Sequence, residues 1–426
     1  MNRYIYSLLL LLLSPIALLY LGYRALKSPA YNRRLQERFG YQLPQVKAPI
    51  VVHCASVGET LAALPLIRLL LQHYPHVPLL VTTTTPTGSA MVQQHLGSQV
   101  HHCYLPVDLN GSVKRFLTTL SPTALLLLET ELWPNLIHHC HQRQIPIMLI
   151  NGRLSARTAA KYQRFPKLIG PLLQQLSVAA MQHSSDGERL RQLGMSPEHI
   201  HECGSLKFDV QLTDTERQWA QQQSQALWGT RPSWVAASTH PGEFEQVIHA
   251  HQQLLQQQPQ LLLVLVPRHP EQFQHAQTLL EQAGLHYQTR SSQRQIHPTT
   301  QVLLGDTMGE LKQWYGGCDL AFVGGSLIDR GGHNPLEAIA YGKPVFMGPS
   351  SFNFQAIVEA LQNQGLLFPV ADGNDLALQL QKLLTQPEHC ANLRTQALAF
   401  IQQNSGAAQR QLAVIAPLLA HHQASN

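Results

Sequence analysis

Carboxylates follow two apolar segments in the amino-terminal half of the chain, where short strands are predicted to end. Glu59 lies between the apolar segment 50–53 and a helical pattern that starts near Leu61. A hydroxyl group has a very high pKa, so a carboxylate that accepts its proton makes it a competent nucleophile. Glu59 is therefore the candidate general base. The alternative is a structural role, because an acid in the first turn of a helix stabilises the helix macrodipole.

Two more carboxylates, Glu129 and Glu131, lie where the apolar segment 124–129 ends. An acid at this position can orient a substrate or a cationic side chain, or it can cap the helix that follows. The sequence leaves both roles open for this pair.

Cations follow the next strands of the same half. Lys207 comes after the predicted strand 200–204, and as a point charge it would stabilise negative charge that develops on a leaving group. A surface ion pair between Lys207 and Asp209 is the alternative. Arg153 and Arg157 suit a phosphate or a carboxylate, or they are solvated on the surface.

The carboxy-terminal half offers cations and loops that suit an anion. Arg268 follows the apolar strand predicted over 261–267, between two prolines. The segment 305–310 also follows a strand and presents backbone N–H groups where a helix is predicted to start, which favours an anionic ligand.

A glycine-rich segment gives the strongest sign of a ligand in this half. Glycines at 324–325 and 331–332 allow close approach of a ligand to the backbone. Asn334 can cap a helix that Pro335 starts, and Glu337 in its first turn can accept hydrogen bonds from a ribose. A purely structural turn is the alternative, since a glycine-rich turn alone is weak evidence.

Parallel sheets must position these residues, because short apolar runs alternate with amphipathic stretches along most of the chain. Strands are predicted at 50–53, 79–83, 100–105, 124–129, 145–151, 178–182, 200–204, 234–238, 261–267, 302–306, 320–324 and 344–347. A glutamine-rich stretch, 213–232, interrupts this pattern and reads as a solvated helix and linker. We expect two Rossmann-like domains whose strand ends face a shared crevice.

The amino terminus predicts a membrane anchor. Residues 4–23 are nearly uncharged and are just long enough to cross a hydrocarbon core. One basic residue precedes this segment and five follow it, namely Arg24, Lys27, Arg33, Arg34 and Arg38. This basic collar would face anionic lipid headgroups and keep the rest of the chain in the cytoplasm. Whether the segment spans the membrane or lies in its interface stays open.

Composition excludes several classes. A chain of 426 residues exceeds the usual size of one core, and its charge of +5 forms no patch beside stacking aromatics, which argues against nucleic acid. The six cysteines show no CxxC spacing and are expected to be reduced and mostly buried. The histidines fit no metal-binding motif.

These motifs together resemble one family, the 3-deoxy-D-manno-octulosonic acid (Kdo) transferases of lipopolysaccharide synthesis in Gram-negative bacteria. The matching segments are 56–59, 129–135, 205–209, 266–270 and 331–338. The resemblance implies a GT-B glycosyltransferase fold, with two Rossmann-like domains that face a central cleft and an amino-terminal anchor helix. The expected boundaries are 1–27 for the anchor, 28–212 for the acceptor domain, 213–232 for the linker and 233–426 for the nucleotide-sugar domain.

The resemblance also implies an activity. It is the inverting transfer of Kdo from CMP-Kdo to a tetraacylated lipid A precursor, lipid IVA, at the cytoplasmic face of the bacterial inner membrane. No metal and no further cofactor are expected, because helix N-termini and fixed cations can neutralise a single leaving phosphate.

The same resemblance assigns roles to residues. Glu59 would be the proton acceptor, and Glu129 and Lys207 would support the transition state. CMP would be held by three short segments, which comprise Pro267, Arg268 and His269, then Met308, Gly309 and Glu310, and finally Asn334, Pro335, Leu336 and Glu337.

Two other functions stay open at this point. A nucleotide-sugar epimerase or hydrolase would explain the glycine-rich half, but it would not explain the anchor and the basic collar. A membrane adaptor without enzyme activity would explain the collar, but it predicts no nucleotide binding. The number of Kdo residues transferred, the acyl-chain preference and the oligomeric state do not follow from the sequence.

Overall fold

The chain divides into two units, each built on its own parallel sheet. Unit 1 comprises Met1–Asp209 and Gly406–Asn426, and unit 2 comprises Val210–Ser405. The computed structural model describes residues 1–27, 34–210, 212–292 and 295–423, and for 16–27 and 421–423 it describes the backbone alone.

The sheet of unit 1 has seven described strands, all parallel, in the order β3-β2-β1-β4-β5-β6-β7. The strands are β1 (Ile50–His53), β2 (Leu79–Thr83), β3 (His101–Tyr104), β4 (Ala124–Leu128), β5 (Ile147–Gly152), β6 (Val178–Met181) and β7 (Ile200–Glu202). Each lies at a predicted strand, within one or two residues at most of its ends.

Helices cover both faces of this sheet, because successive side chains of a strand point to opposite sides. In β1, Val51 packs into one apolar cluster, whereas Ile50 and Val52 pack into the other. The helices are α1 (Arg3–Lys27), α2 (Val57–His73), α3 (Pro86–Leu96), α4 (Asn110–Leu120), α5 (Pro134–Gln142), α6 (Ala156–Gln163), α7 (Pro166–Leu173) and α8 (Ser184–Gln192).

The sheet of unit 2 also has seven described strands, all parallel, in the order β10-β11-β9-β8-β12-β13-β14. The strands are β8 (Ser233–Thr239), β9 (Leu262–Pro267), β10 (Tyr287–Thr289), β11 (Val302–Leu304), β12 (Leu320–Val323), β13 (Val345–Met347) and β14 (Leu367–Pro369). The sequence predicts five of these strands, and the two at the edges of the sheet, β10 and β14, are additional.

Unit 2 is covered by helices α9 (Asp214–Trp228), α10 (Phe244–Leu255), α11 (Phe273–Gln282), α12 (Leu311–Gly317), α13 (Leu336–Ala340), α14 (Gln355–Asn363), α15 (Gly373–Leu384) and α16 (Pro387–Asn404). The expected linker 213–232 is therefore mostly α9, which packs on α12. Trp228 stacks on Trp314 with ring centroids 6.3 Å apart, so the apolar side of the glutamine-rich helix joins the core of unit 2.

The last helix, α17 (Ala407–Gln423), belongs to unit 1 and corrects the expected boundary 233–426. It packs on α2, and Leu412 and Ile415 are buried in the core of unit 1. The Asp209 carboxylate accepts hydrogen bonds from the N–H groups of Gly406 (2.7 Å) and Ala408 (2.6 Å) at the start of the helix. An amphipathic pattern shows that a helix has a partner, but it does not identify which sheet it covers.

The amino-terminal helix α1 is held to unit 1 by polar contacts near its start. The Tyr6 hydroxyl donates to Asp108 (3.1 Å), and Ser7 and Arg3 donate to the Asn135 side chain (2.8 and 3.2 Å). Leucines at 8–9 and 11–13 are exposed. Among the helices that the structure describes, none has both the length and the apolar character to cross a membrane. The sequence predicts an anchor over 1–27 and leaves open whether it spans the membrane or lies in its interface, and the side chains of this segment from 16 onwards lie outside the described residues.

The basic collar is only partly within the described residues, which exclude the side chains of Arg24, Lys27 and Arg33. Arg38 is 7% exposed and lies over the Tyr104 ring, 4.2 Å from its centroid. Arg34 forms an ion pair with Glu37 (2.6 Å). The expectation that Arg38 faces lipid headgroups is wrong, because this guanidinium is packed inside unit 1.

Candidate functional site

Glu59 lies where β1 ends and α2 begins, and its carboxylate takes part in the cap of that helix. Its Oε2 accepts a hydrogen bond from the Ala55 N–H (2.8 Å), and its Oε1 accepts one from the Ser56 hydroxyl (3.0 Å). Ser56 in turn accepts from the Glu59 N–H (3.3 Å). The capping role is therefore present. Two carboxylate oxygens offer about four acceptor positions, so capping leaves Glu59 able to accept a proton.

The surroundings of Glu59 favour its protonated form. Burial raises the pKa of Glu59 to about 7, and the nearby carboxylates of Glu131 and Glu129 also raise it, against the hydrogen bonds from Ala55 and Ser56. A general base is most effective when its pKa lies near the working pH. Glu59 is therefore set to exchange a proton close to neutral pH.

Glu129 and Lys207 meet as an ion pair, as the sequence allowed but did not require. The Lys207 Nζ lies 2.7 Å from the Glu129 Oε1, with about a quarter of each side chain exposed. Glu129 follows β4 with a φ of 55°, a left-handed conformation that is uncommon for a non-glycine residue. The pair places one cation beside the carboxylates of this sheet edge. The alternative, a pair between Lys207 and Asp209, is not formed, because Asp209 caps α17.

A buried asparagine, Asn151, holds the backbone next to Lys207. The Asn151 Oδ1 accepts the Leu206 N–H (2.9 Å), and the Asn151 N–H donates to the Gln411 side chain of α17 (2.9 Å). Asn151 and Gln411 are both fully buried. Sequence reasoning missed this support, although an asparagine near the end of a strand suits the left-handed φ of 49° found there.

Glu131 completes a carboxylate cluster, which we define as Glu59, Glu129 and Glu131 together with Lys207. The Trp133 Nε1 donates to Glu131 (3.1 Å), and burial raises the pKa of Glu131. His53 lies behind it, with its Nε2 3.9 Å from the Glu131 Oε2. Burial lowers the pKa of His53 to about 4, so this ring is neutral at physiological pH and adds no positive charge.

In unit 2, Arg268 and His269 follow β9 as the sequence predicts. Arg268 donates from its backbone N–H to the Thr239 carbonyl (2.9 Å), which joins this loop to the end of β8. The His269 ring lies edge-on to the His240 ring, with centroids 5.6 Å apart. Arg153 and Arg157, the candidate anion ligands of unit 1, are exposed.

In the loop before α12 the backbone is accessible to a ligand, but the carboxylate of Glu310 already has partners within unit 2. The Glu310 carboxylate accepts hydrogen bonds from Arg290 at 3.0 to 3.2 Å and from the Thr307 hydroxyl. Met308 is 59% exposed, and Gly309 has a φ of 85° with open space around it. A ligand at this loop would therefore meet Met308 and the backbone rather than a free carboxylate.

The segment 334–337 has the geometry that the sequence indicates. The Asn334 Oδ1 accepts the Leu336 N–H (3.1 Å), and α13 starts at Leu336, directly after Pro335. Glu337 lies in its first turn and is partly exposed, whereas Pro335 and Leu336 are buried. Only the outer residues of this segment have side chains that a ligand can reach.

The glycine loop, Gly324–Leu327, differs from the expectation that its backbone approaches a ligand. Its N–H groups at Gly325, Ser326 and Leu327 donate to the Glu243 carboxylate at 2.7 to 3.0 Å. Glu243 is fully buried and also accepts the His240 N–H (3.0 Å). Sequence reasoning missed Glu243. The signal is its position, because it follows the first strand of unit 2 as Glu59 follows the first strand of unit 1.

Two family models match this chain, one for each half. Residues 33–210 match the model described as 3-Deoxy-D-manno-octulosonic-acid transferase (kdotransferase), and residues 234–399 match glycosyl transferases group 1.

Similar proteins extend along the whole chain. A 3-deoxy-D-manno-octulosonic acid transferase of Haemophilus influenzae is 41% identical, covering 98% of this chain and 99% of the relative. One from Bordetella pertussis is 34% identical, covering 97% and 98%. Among solved structures, MurG of Acinetobacter baumannii is 12% identical with a TM-score of 0.53, covering 87% of this chain and 99% of that one, which supports the predicted fold class. The chain belongs to the 3-deoxy-D-manno-octulosonic acid transferases, which are glycosyltransferases.

Proposed function

We propose that this chain transfers Kdo from CMP-Kdo to the tetraacylated lipid A precursor, lipid IVA, with inversion at the anomeric carbon. A hydroxyl oxygen of the acceptor forms the new bond to that carbon, and the bond from the carbon to the phosphate oxygen breaks. CMP leaves with the electron pair of that bond. The acceptor proton passes to the Glu59 carboxylate, so that atoms and charges balance.

The observation that carries this proposal is the environment of Glu59. Its carboxylate is held by Ala55 and Ser56 at 2.8 and 3.0 Å, and its pKa is raised to about 7. An acid with that pKa is partly ionised at neutral pH and retains the driving force to take a proton from a hydroxyl. A carboxylate fixed by two donors also keeps its orientation while the proton moves.

We assign Glu129 and Lys207 to the transition state. Their ion pair at 2.7 Å fixes the ammonium group of Lys207 without removing it from solvent. A fixed cation stabilises negative charge that develops on the departing phosphate, because it needs no reorganisation during the reaction. Glu129 holds the cation in place and keeps the site from becoming strongly positive.

We assign the nucleotide to unit 2. Three segments would hold CMP, most of them close to the carboxyl ends of parallel strands. They are Pro267, Arg268 and His269 at the end of β9, Met308, Gly309 and Glu310 before α12, and Asn334, Pro335, Leu336 and Glu337 at α13. Open α/β sheets bind ligands at these ends. A single phosphate carries less charge than a diphosphate, so we propose that cationic side chains suffice and that no divalent ion is required.

We further propose that the amino-terminal helix lies against anionic lipid at the cytoplasmic face of the bacterial inner membrane, where a lipid acceptor resides. The leucines at 8–9 and 11–13 are 45 to 64% exposed on a helix that Tyr6 and Ser7 hold to unit 1. Such an apolar surface gains free energy at a lipid interface. Flotation with anionic vesicles tests this, and we expect charged substitutions at Leu11 and Leu12 to abolish binding.

Mass spectrometry of the reaction products tests the proposed activity. The purified chain is incubated with CMP-Kdo and lipid IVA, with either substrate omitted as controls. We expect a lipid product heavier by Kdo only when both are present, together with one CMP released for each Kdo transferred. Release of CMP at the same rate without lipid would indicate a hydrolase. Absence of any product when both CMP-Kdo and lipid IVA are present would contradict the proposed activity.

A further inference from the structure

Three histidines of unit 2, which we call the histidine cluster, lie together beside the glycine loop. They are His240 after β8, His269 after β9 and His333 before α13. The rings of His240 and His333 are stacked with centroids 5.3 Å apart, and their Nε2 atoms are 3.0 Å from each other. His240 is buried and His333 is partly exposed.

The hydrogen bond between these two rings determines where their protons lie. In a pair of neutral rings joined through Nε2, one Nε2 carries a proton and the other accepts it. The accepting ring must then carry its own proton on Nδ1. Neither His240 nor His333 makes a hydrogen bond through Nδ1 to any residue that the structure describes. The pair therefore presents an N–H donor that a ligand can use.

The electrostatic surroundings of the pair favour an anion. Burial first, and the nearby charges of Arg268 and Arg330 as well, lower the pKa of His240 to about 4 and that of His333 to about 3. A site where positive charges repel each other is stabilised when a negative group enters it.

The glycine loop does not supply the anion site that its sequence suggests. Backbone N–H groups at such a loop ordinarily bind phosphate. Here the Glu243 carboxylate takes the N–H groups of Gly325, Ser326 and Leu327, so an anion of the protein already occupies them. The loop instead positions His333, because Gly332 and His333 donate to the carbonyls of Gly325 (2.8 Å) and Gly324 (3.2 Å).

We propose that His240, His333 and Arg330 form a subsite for the phosphate group of the nucleotide, beside Arg268 and His269. This inference rests on the proposed CMP-Kdo donor. The accepting ring of the histidine pair donates its Nδ1–H to a phosphate oxygen, and Arg330 supplies positive charge at the exposed side. The cytidine is bound by other residues, so the subsite distinguishes CMP from cytidine.

Calorimetry with CMP and with cytidine, on the full chain, tests this subsite. We compare the wild type with His240→Asn, Arg330→Ala and, as a matched control, His286→Asn. His286 is exposed just before β10, at the opposite, amino-terminal end of that sheet. Thermal unfolding of each variant shows that it is folded.

We expect the wild type and His286→Asn to bind CMP at least about tenfold more tightly than cytidine, as a charge-assisted contact provides. In His240→Asn and Arg330→Ala most of that preference should disappear, while the cytidine Kd changes by less than about twofold. The proposal is overturned if both ligands weaken equally, or if the preference for CMP persists in the folded variants. A wild type that binds neither ligand would overturn the donor assignment as well, which separates the two failures.

Discussion

Units 1 and 2 have closely similar sheets but opposite charge at the loops that follow the strands. Unit 1 collects Glu59, Glu129 and Glu131 around one lysine, whereas unit 2 collects the histidine cluster with Arg268 and Arg330. The strand orders match once the edge strands β7 of unit 1 and β10 of unit 2 are set aside. The same scaffold therefore carries the proposed proton acceptor in one unit and the proposed anion site in the other, and the difference lies in the loops.

The difference between the loops is clearest for the glutamate that follows the first strand of each unit. Glu59 and Glu243 both precede or begin the first helix after that strand. Glu59 is partly exposed and accepts two hydrogen bonds, and its pKa is about 7. Glu243 is fully buried and accepts four backbone N–H groups. Glu59 can therefore take up or release a proton near neutral pH, whereas the hydrogen bonds of Glu243 hold the glycine loop in place.

After the loss of Glu59 itself, removal of the cation of unit 1 should have the largest effect. We expect Lys207→Ala to lower kcat by about 10²- to 10³-fold, because a fixed charge beside the leaving group is lost. CMP affinity should change little. Steady-state kinetics and calorimetry measure the two quantities, with Lys161→Ala on the exposed face of α6 as the control. A loss confined to CMP affinity would move Lys207 into the nucleotide site.

Removal of a cation of unit 2 should have the opposite effect, namely a large loss of CMP affinity and a small change in rate. Arg268→Ala is expected to raise the CMP Kd by about 10- to 100-fold, as for a charge-assisted contact to phosphate. The rate at saturating CMP-Kdo should fall much less. Arg394→Ala on α16 serves as the control, since Arg394 is exposed on a different helix. An unchanged Kd would remove Arg268 from the nucleotide site.

The carboxy-terminal helix should affect unit 1 only. Asp209→Asn weakens the cap on α17, so we expect the free energy of unfolding to fall by about 1–2 kcal/mol. Turnover should decrease, because α17 also supports Asn151 through Gln411, whereas CMP affinity stays constant. Denaturant unfolding measures the first effect, with the exposed Asp214→Asn as the control. A weaker CMP affinity would assign α17 to the donor site.

The smallest effect concerns pH. The pKa of Glu59 is raised to about 7, so kcat/KM should rise with pH through about 7 as the base loses its proton. Glu131→Gln removes a neighbouring negative charge and should lower that pKa by about one unit or less, so activity persists at lower pH. Glu188→Gln, exposed on α8, is the control. A shift towards higher pH would contradict the assignment of Glu59.

Much of the fold follows from the sequence, because buried parallel strands are nearly continuous apolar runs. All twelve predicted strands are present. The two strands that were not predicted are β10 and β14 at the sheet edges. β10 (Tyr287–Thr289) is only partly buried and shows no apolar run, and β14 (Leu367–Pro369) is three residues long and ends in an exposed proline. The assignment of α17 to unit 1 could be made only from the structure, because the apolar face of this helix would suit the sheet of either unit.

The candidate site was predictable where a residue type and a strand end coincide. Glu59, Glu129 and Lys207 come together in unit 1 for that reason. The role of Glu243 was not predictable, because the distribution of buried N–H donors depends on the folded path of the glycine loop. The burial of Arg38 was also missed, since a run of basic residues does not show which of them packs on a tyrosine.

The variant Glu59→Gln is the sharpest test of whether Glu59 is the proton acceptor while unit 2 binds the nucleotide. Glutamine keeps the size of the side chain and removes its ability to take the proton. On one preparation, calorimetry measures CMP affinity and mass spectrometry measures Kdo transfer to the lipid precursor. We predict a CMP Kd within about twofold of the wild type and no detectable transfer. Substantial transfer by this variant would show that Glu59 is not the proton acceptor.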